Sequence, residues 1–484
     1  MLFNSIDFAI FLPIVFILYW FVFKKISHQN LLIVLSSYIF YGWWDWRFLI
    51  LIIFSTLLDF LIGIKLVEVK NLKKRKLLLW TSIVANLGFL FYFKYFNFFI
   101  DSFSDTFLFF GLEMKTHSLN IVLPVGISFY TFQTLSYTID IYNQKLKPSK
   151  NLISFAAFVC FFPQLVAGPI ERAKNLLPQF YKKREFNYTN SVNGMRQILW
   201  GLFKKMVIAD NCAEYVNIIF NNSSDFSGST LTLGAILFSF QIYGDFSGYS
   251  DIAIGTSRLF GFNLKQNFAF PYFSRDIAEF WRRWHISLST WFRDYLYIPL
   301  GGSRGSIQLK TRNVFIIFIV SGFWHGANWT YIVWGALNAI YFFPVLLKNK
   351  NRNNMLIVAQ GRLFPEIKDF FSILKTFSFT VFAWIFFRSK NISSAIDYIS
   401  KIFTESFFSI PNISFQTNRE VFVLCLLIFF FTAIEWLGRE NQYAIENLFK
   451  KKRRYLRWSF YSFLVFLISM FTQTTETPFI YFQF

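Results

Sequence analysis

Residues 313–347 read NVFIIFIVSGFWHGANWTYIVWGALNAIYFFPVLL, with no acidic or basic side chain between Asn313 and Lys348 apart from His325. A helix needs roughly 20 apolar residues to cross about 30 Å of hydrocarbon, so the run predicts a pair of membrane segments folded back on each other. A histidine at that depth costs free energy unless it is used or bonded, which makes His325 a candidate functional residue. The structural alternative is a neutral ring bonding a neighbouring helix. If the segment is helical throughout, Ser321 and Gly322 lie one turn before His325, and Asn328 and Trp329 one turn after. With Trp324 beside it, that gives a small-walled opening and a polar orienter for an imidazole, the side chain best suited to proton transfer near neutral pH.

The rest of the chain agrees with lipid as solvent. Its 484 residues are 55% hydrophobic, 22% aromatic and only 15% charged, against about 25% charged in soluble domains. Seventy phenylalanines argue against disorder, and three cysteines against a disulfide scaffold. Cys160, Cys212 and Cys425 read as small buried hydrophobes. A net charge of +21 would suggest nucleic acid in a soluble protein, but here it falls in short clusters between apolar runs: Lys24–Lys25, Lys70–Lys76, Lys145–Lys150, Lys182–Arg184, Lys348–Arg352 and Lys450–Arg457. That is how membrane proteins fix their cytoplasmic side, with contact to anionic lipid the second reading.

Candidate crossings lie at 7–23, 31–43, 48–67, 77–100, 119–141, 152–170, 231–257, 313–347 as a pair, 370–387, 419–437 and 458–473. The fold class expected is therefore all-α, a multi-pass integral membrane protein of about 11 transmembrane helices. Segments 31–43 and 313–323 are too short to cross upright and read as half-spans, which survive only where protein or a watery cavity satisfies their backbone, so a hollow interior is expected. No cleavable signal peptide is expected at the start. Placing Lys24 and Lys25 inside puts the amino terminus outside. Between 171 and 312 the charges, Lys204 and Lys205 among them, call for the cytoplasmic side and outrun the crossings, and 194–220 and 275–298 alternate charge with apolar residues as interfacial helices do. With no repeat or soluble module, one integral domain, 1–484, divides into N-terminal spans (1–118), a core (119–347) and C-terminal spans (348–484).

Of the other histidines, His28 and His117 read as solvated loop residues. His285 sits in WRRWHISLSTWFRDYLYIPLGG, where Trp281, Trp284 and Trp291 suit the interface and Arg282, Arg283 and Arg293 the wet side. Span 231–257 carries Asp245, Ser247, Ser250 and Asp251 among apolar residues. Asp245 is expected to face a cavity, since a carboxylate facing lipid is disfavoured. Gly244 and Gly248 have the spacing of close helix approach. GGSRG at 301–305 fits GxSxG, but no strand–helix alternation supports a hydrolase, so Gly301, Gly302, Ser303 and Arg304 instead offer amides and a guanidinium to a phosphate. Thr290 and Thr330 occupy the fifth place after His285 and His325, which excludes an HxxxxD acyltransferase pair. There is no Walker loop, Rossmann fingerprint or Cys/His metal cluster, so no metal is expected.

WRRWHISLSTWFRDYLYIPLGG, followed 40 positions after His285 by GFWHGANWTYIVWG around His325, resembles the membrane-bound O-acyltransferases. IVLPVGISFYTFQTLSYTIDIY (121–142), FFPQLVAGPIER (161–172), YGDFSGYSDIAIG (243–255), FAWIFFR (382–388) and the final PFIYFQF resemble the family's alginate-type, polysaccharide-acetylating branch. The resemblance implies a multi-helix enzyme with a central tunnel, His325 as the essential histidine and His285 as the second, a place where other branches carry asparagine. It implies acetyl-CoA as donor substrate with no resident cofactor, and an extracytoplasmic polysaccharide as acceptor. An extracytoplasmic acetyl-transferring partner protein and a bacterial inner-membrane location are implied with them. The competing readings are a family enzyme acting on a lipid, protein or teichoic acid, and a proton-coupled transporter using Asp245, Asp251 and His325 as a relay.

Overall fold

In the computed structural model, all residues are described except 115–118, 120, 167, 414–417, 451–452, 474–478 and 481–484. His117 and most of PFIYFQF therefore lie outside the described residues. Every regular element among the described residues is helical, as expected. The chain divides into two compact units, Met1–Ser191 with Thr256–Lys265, and Val192–Gly255 with Gln266–Phe484.

Among the described residues five helical stretches are long and apolar enough to cross a membrane: Ile26–Glu68, Leu72–Phe109, Trp329–Leu347, Ile367–Arg388 and Arg419–Gly438, with Ile6–Val22 shorter. Both expected half-spans are full helices. Segment 31–43 belongs to Ile26–Asp45, whose Gln29, Asn30, Ser36 and Ser37 are buried polar residues that shorten its apolar run in the sequence. Segment 313–323 belongs to Ile307–His325, which begins in the basic QLKTR. Neither segment therefore requires a hollow interior to satisfy its backbone.

In the first unit, Asp59 sits in Leu49–Glu68 at 0% exposure. It accepts from Ser82 Oγ (2.5 Å), Thr138 Oγ1 (2.8 Å) and Asn86 Nδ2 (2.9 Å), which ties three helices together by neutral donors. A buried carboxylate requires such partners.

In the second unit we label α1 (Tyr188–Leu202), α2 (Gly228–Leu259), α3 (Ile277–Arg283), α4 (Ile286–Phe292), α5 (Ile307–His325), α6 (Trp329–Leu347), α7 (Ile367–Arg388) and α8 (Asn418–Gly438). A π-helical turn, Phe203–Ala209, continues α1. Glycines set the close crossings, as their spacing predicts: a Cβ on Gly248 of α2 would lie 2.8 Å from the carbonyl oxygen of Gly201 on α1, and one on Gly255 would lie 2.5 Å from that of Gly194. The α5–α6 hairpin closes the same way: a Cβ on Gly322 would run into the carbonyl oxygen of Tyr331, and one on Gly335 into that of Phe318.

Gly322→Val inserts three carbons against backbone that has nowhere to move. It is expected to destabilise by about 3 kcal/mol or more, read as a lower melting temperature in detergent. Gly88→Ala, with nothing within 4 Å, should instead be neutral or stabilising by up to ~1 kcal/mol.

Candidate active site

Two histidines of the second unit flank one indole. His325 ends α5 and is 2% exposed. Its ring centroid lies 5.0 Å from Trp324, 5.1 Å from Trp334 and 5.3 Å from Phe387, each approached edge-on. His285 lies 6.1 Å from the same Trp324. The two imidazoles thus come from separate elements, α5 and the α3–α4 junction, into contact with one side chain.

The stretch around His285 is not one interfacial helix. It is broken into α3 and α4 by extended backbone at Trp284 and a left-handed conformation at His285 (φ 42°, ψ 55°). Trp284 is fully buried and Trp291 nearly so, because the break turns both inward. The arginines are spent on protein: Arg283 and Arg275 grip buried Glu279 at 2.8 and 3.0 Å, and Arg282 donates to the carbonyls of Asn351 and Asn354. The break is held by Asn267, itself buried. Its backbone carbonyl accepts from Ile286 N (2.9 Å), and its side-chain Oδ1 accepts from Ser287 N (3.2 Å) and Ser287 Oγ (2.8 Å) and lies 3.1 Å from His285 Nδ1. Its Nδ2 donates to Ser250 Oγ on α2 at 3.1 Å. Burial pushes the His285 pKa down to about 3, so the ring is neutral at physiological pH.

Behind this cluster lies an ionic layer that the sequence pattern did not disclose. Lys204 and Lys205 were expected at a cytoplasmic surface, yet they are 3% and 1% exposed. The π turn that holds them widens the helix and directs consecutive lysines at α2. Lys204 pairs with Asp251 (2.6 Å), and Lys205 with both Asp245 and Asp210 (2.8 Å each). Burial opposes charge on Lys205, but Asp245 and Asp210 outweigh it and hold the ammonium above its ordinary range. Gln197 Nε2 adds a donor to Asp251 at 2.7 Å. Asp245, expected to face a cavity, is instead ion-paired and accepts the backbone N–H of Ile480 at 2.6 Å. Phe479 stacks near Tyr249 and Phe246, and Phe246 meets His285 edge-on at 4.6 Å.

The remaining candidates divide. Ser247 is 1% exposed and lines a polar cavity of about 10 Å³, room for one water, together with Lys204, Asp251, Ser250 and Asn267. Ser321 lines a cavity of about 220 Å³ with Trp281, Phe292, Arg293, Tyr297 and Phe318. Asn328 does not orient His325: α5 stops at the histidine, and Asn328 caps α6 through Thr330 N (3.0 Å) while donating to Lys390 O (2.8 Å). The GGSRG loop is a turn with φ of 103° at Gly301 and 59° at Gly302, pinned by buried Asn313 to the carbonyls of Leu300 and Gly302. The amides of Gly301, Gly302 and Arg304 go to the carbonyls of Ile298, Tyr297 and Gly301, so they do not form an anion cradle. Exposed Ser303 and the Arg304 guanidinium remain as the loop's candidates for a phosphate.

The membrane-bound O-acyltransferase family model matches residues 143–355. The chain is also 40% identical over 400 residues, 82% of its length and 73% of the relative's, to the probable alginate O-acetylase AlgI of Pseudomonas aeruginosa. The chain belongs to the membrane-bound O-acyltransferase family and is an acyltransferase. It is similar to the peptidoglycan O-acetyltransferase of Helicobacter pylori, at 35% identity over 428 residues, covering 82% of this chain and 78% of that one. It is similar over 236 residues, at 29% identity, to the teichoic acid D-alanyltransferase of Bacillus subtilis, covering 46% of this chain and 58% of that one.

Lys204→Met leaves Asp251 buried without its cation and should destabilise by about 3–5 kcal/mol. Adding Asp251→Asn removes the orphan charge and is expected to recover part of that loss in the same thermal-shift measurement.

Proposed function

We propose that the enzyme, acting as one integral unit in a bacterial inner membrane, moves the acetyl group of cytoplasmic acetyl-CoA to an extracytoplasmic polysaccharide hydroxyl. The single observation that carries this reading is the convergence of two buried imidazoles on Trp324. The named activities of the relatives, O-acetylation of alginate and of peptidoglycan, support the substrate class. An extracytoplasmic partner that relays the acetyl group to the glycan belongs to the same reading.

The chemistry needs a proton taken from an attacking hydroxyl and a proton given to the leaving thiolate. Oxygen attacks the thioester carbonyl, the C–O bond forms, the C–S bond breaks, and the proton passes by way of imidazole to sulfur. His325 supplies the base at the reacting carbonyl, or carries the acetyl group transiently on a ring nitrogen. Its enclosure by Trp324, Trp334 and Phe387 keeps water from the thioester, and a substrate can reach the ring only when these side chains part. The 220 Å³ cavity beneath Ser321, apolar but with Arg293 on its rim, has the character of a donor-arm pocket, and Arg304 on the adjoining loop is the phosphate contact.

Purified protein in lipid nanodiscs, given labelled acetyl-CoA and a glycan acceptor, should release free CoA. His325→Gln is expected to reduce that release by about 100-fold or more, and an unchanged rate would remove the histidine from the mechanism. Arg304→Ala should raise the KM for acetyl-CoA with little change in kcat; an unaltered KM dismisses Arg304 from the donor site.

A further inference from the structure

Asn267 commits its backbone carbonyl and both ends of its side-chain amide to the neighbourhood of His285, and the arrangement determines which ring nitrogen holds the proton. Ser287 N is unambiguously a donor, and it points at the same Asn267 atom, 3.2 Å away, that faces His285 Nδ1 at 3.1 Å. That atom must be the amide oxygen. Turning the amide over would set its NH₂ against the Ser287 N–H. The opposite end of the amide, facing Ser250 Oγ at 3.1 Å, is then the NH₂ donating to a hydroxyl. An oxygen facing Nδ1 requires Nδ1 to donate. The alternative, a Ser287 hydroxyl donating to Nδ1, spans 3.4 Å, whereas the same hydroxyl reaches Asn267 Oδ1 at 2.8 Å.

We infer that Asn267 is a positioning residue that fixes His285 as the Nδ1–H tautomer, so that Nε2 presents a lone pair to the transfer reaction. This rests on the acetyl-transfer reading, and it decides whether His285 donates or accepts there. A ring that oriented the thioester carbonyl would have to donate to its oxygen, but the one proton of the neutral imidazole is committed to Asn267. His285 therefore accepts: Nε2 takes a hydrogen bond from a substrate donor and so orients the substrate, Asn267 Oδ1 holds the ring through Nδ1–H, and proton abstraction stays with His325. Burial opposes protonation of the ring and so keeps Nε2 an acceptor. No motif marks Asn267, a lone asparagine in LKQNFAF, and its role follows from distances alone.

The tautomer can be read without turnover. Protein labelled with ¹⁵N-histidine contains four such rings, and His285→Gln identifies the signals of one. Wild type should show a protonated Nδ1 and a bare Nε2 for His285. Asn267→Leu should lose that preference and lower kcat on the order of 100-fold while leaving the KM for acetyl-CoA within about twofold. Asn267→Asp keeps an oxygen at Nδ1, lets the Ser250 hydroxyl turn to donate, and should restore most of kcat with the acid limb of the pH profile moved upward. A proton found on Nε2 in wild type overturns the inference even if acetyl transfer is intact. Full kcat in folded Asn267→Leu, or an Asp variant as impaired as the Leu variant, overturns the positioning role. Absence of acetyl-CoA turnover in wild type with Nδ1 protonated would instead refute the acetyl-transfer reading and leave the tautomer standing.

Discussion

The ion pairs between the π turn after α1 and the middle of α2 are the constraint on which the site depends. Two ammonium groups and three carboxylates are withdrawn from solvent here, and each is tolerable only in the geometry that pairs it. Asp251 lies next to Ser250, Ser250 receives the Asn267 amide, and Asn267 holds the backbone break at His285. The position of an imidazole is thereby referred to a pair of lysines that never touch it. Glycine–carbonyl contacts between α1 and α2 fix the same two helices by shape, so charge and packing specify one relation between them.

Aromatic rings carry the other half of the arrangement. Trp334 stacks on Trp384 at 5.5 Å, Trp384 meets Trp284 at 5.1 Å, and Trp284 leads directly to His285. Rings of this size have few rotamers, and in a dense interior none of them turns without its neighbours. A cluster linking α6, α7 and the α3–α4 junction packs around both histidines, so any opening beside them is a collective rearrangement.

The helical, lipid-facing character of the chain was legible from composition and from runs such as 313–347, because hydropathy is local. His325 was conspicuous as an imidazole in apolar sequence, whereas His285, set among arginines, was singled out only by the family resemblance, and Gly244 and Gly248 by a spacing that states a helix crossing. What escaped was non-local. Lys204 and Lys205 carry no mark of burial, since their carboxylate partners Asp245 and Asp251 lie some forty residues away on another helix. Asn328 suited an orienting role only while a continuous helix ran through GAN, and Gly326 in an extended conformation ends that continuity. The buried polar residues of Ile26–Asp45 made a whole crossing resemble half of one.

The positive φ at His285 also restricts what evolution can place there. Among side chains with a Cβ, histidine, asparagine and aspartate are the ones most often found in left-handed backbone, while β-branched and bulky apolar residues are effectively barred. The backbone thus filters which residue types can stand at 285 before chemistry does: asparagine or aspartate could hold the same turn, where leucine or valine would have to break it.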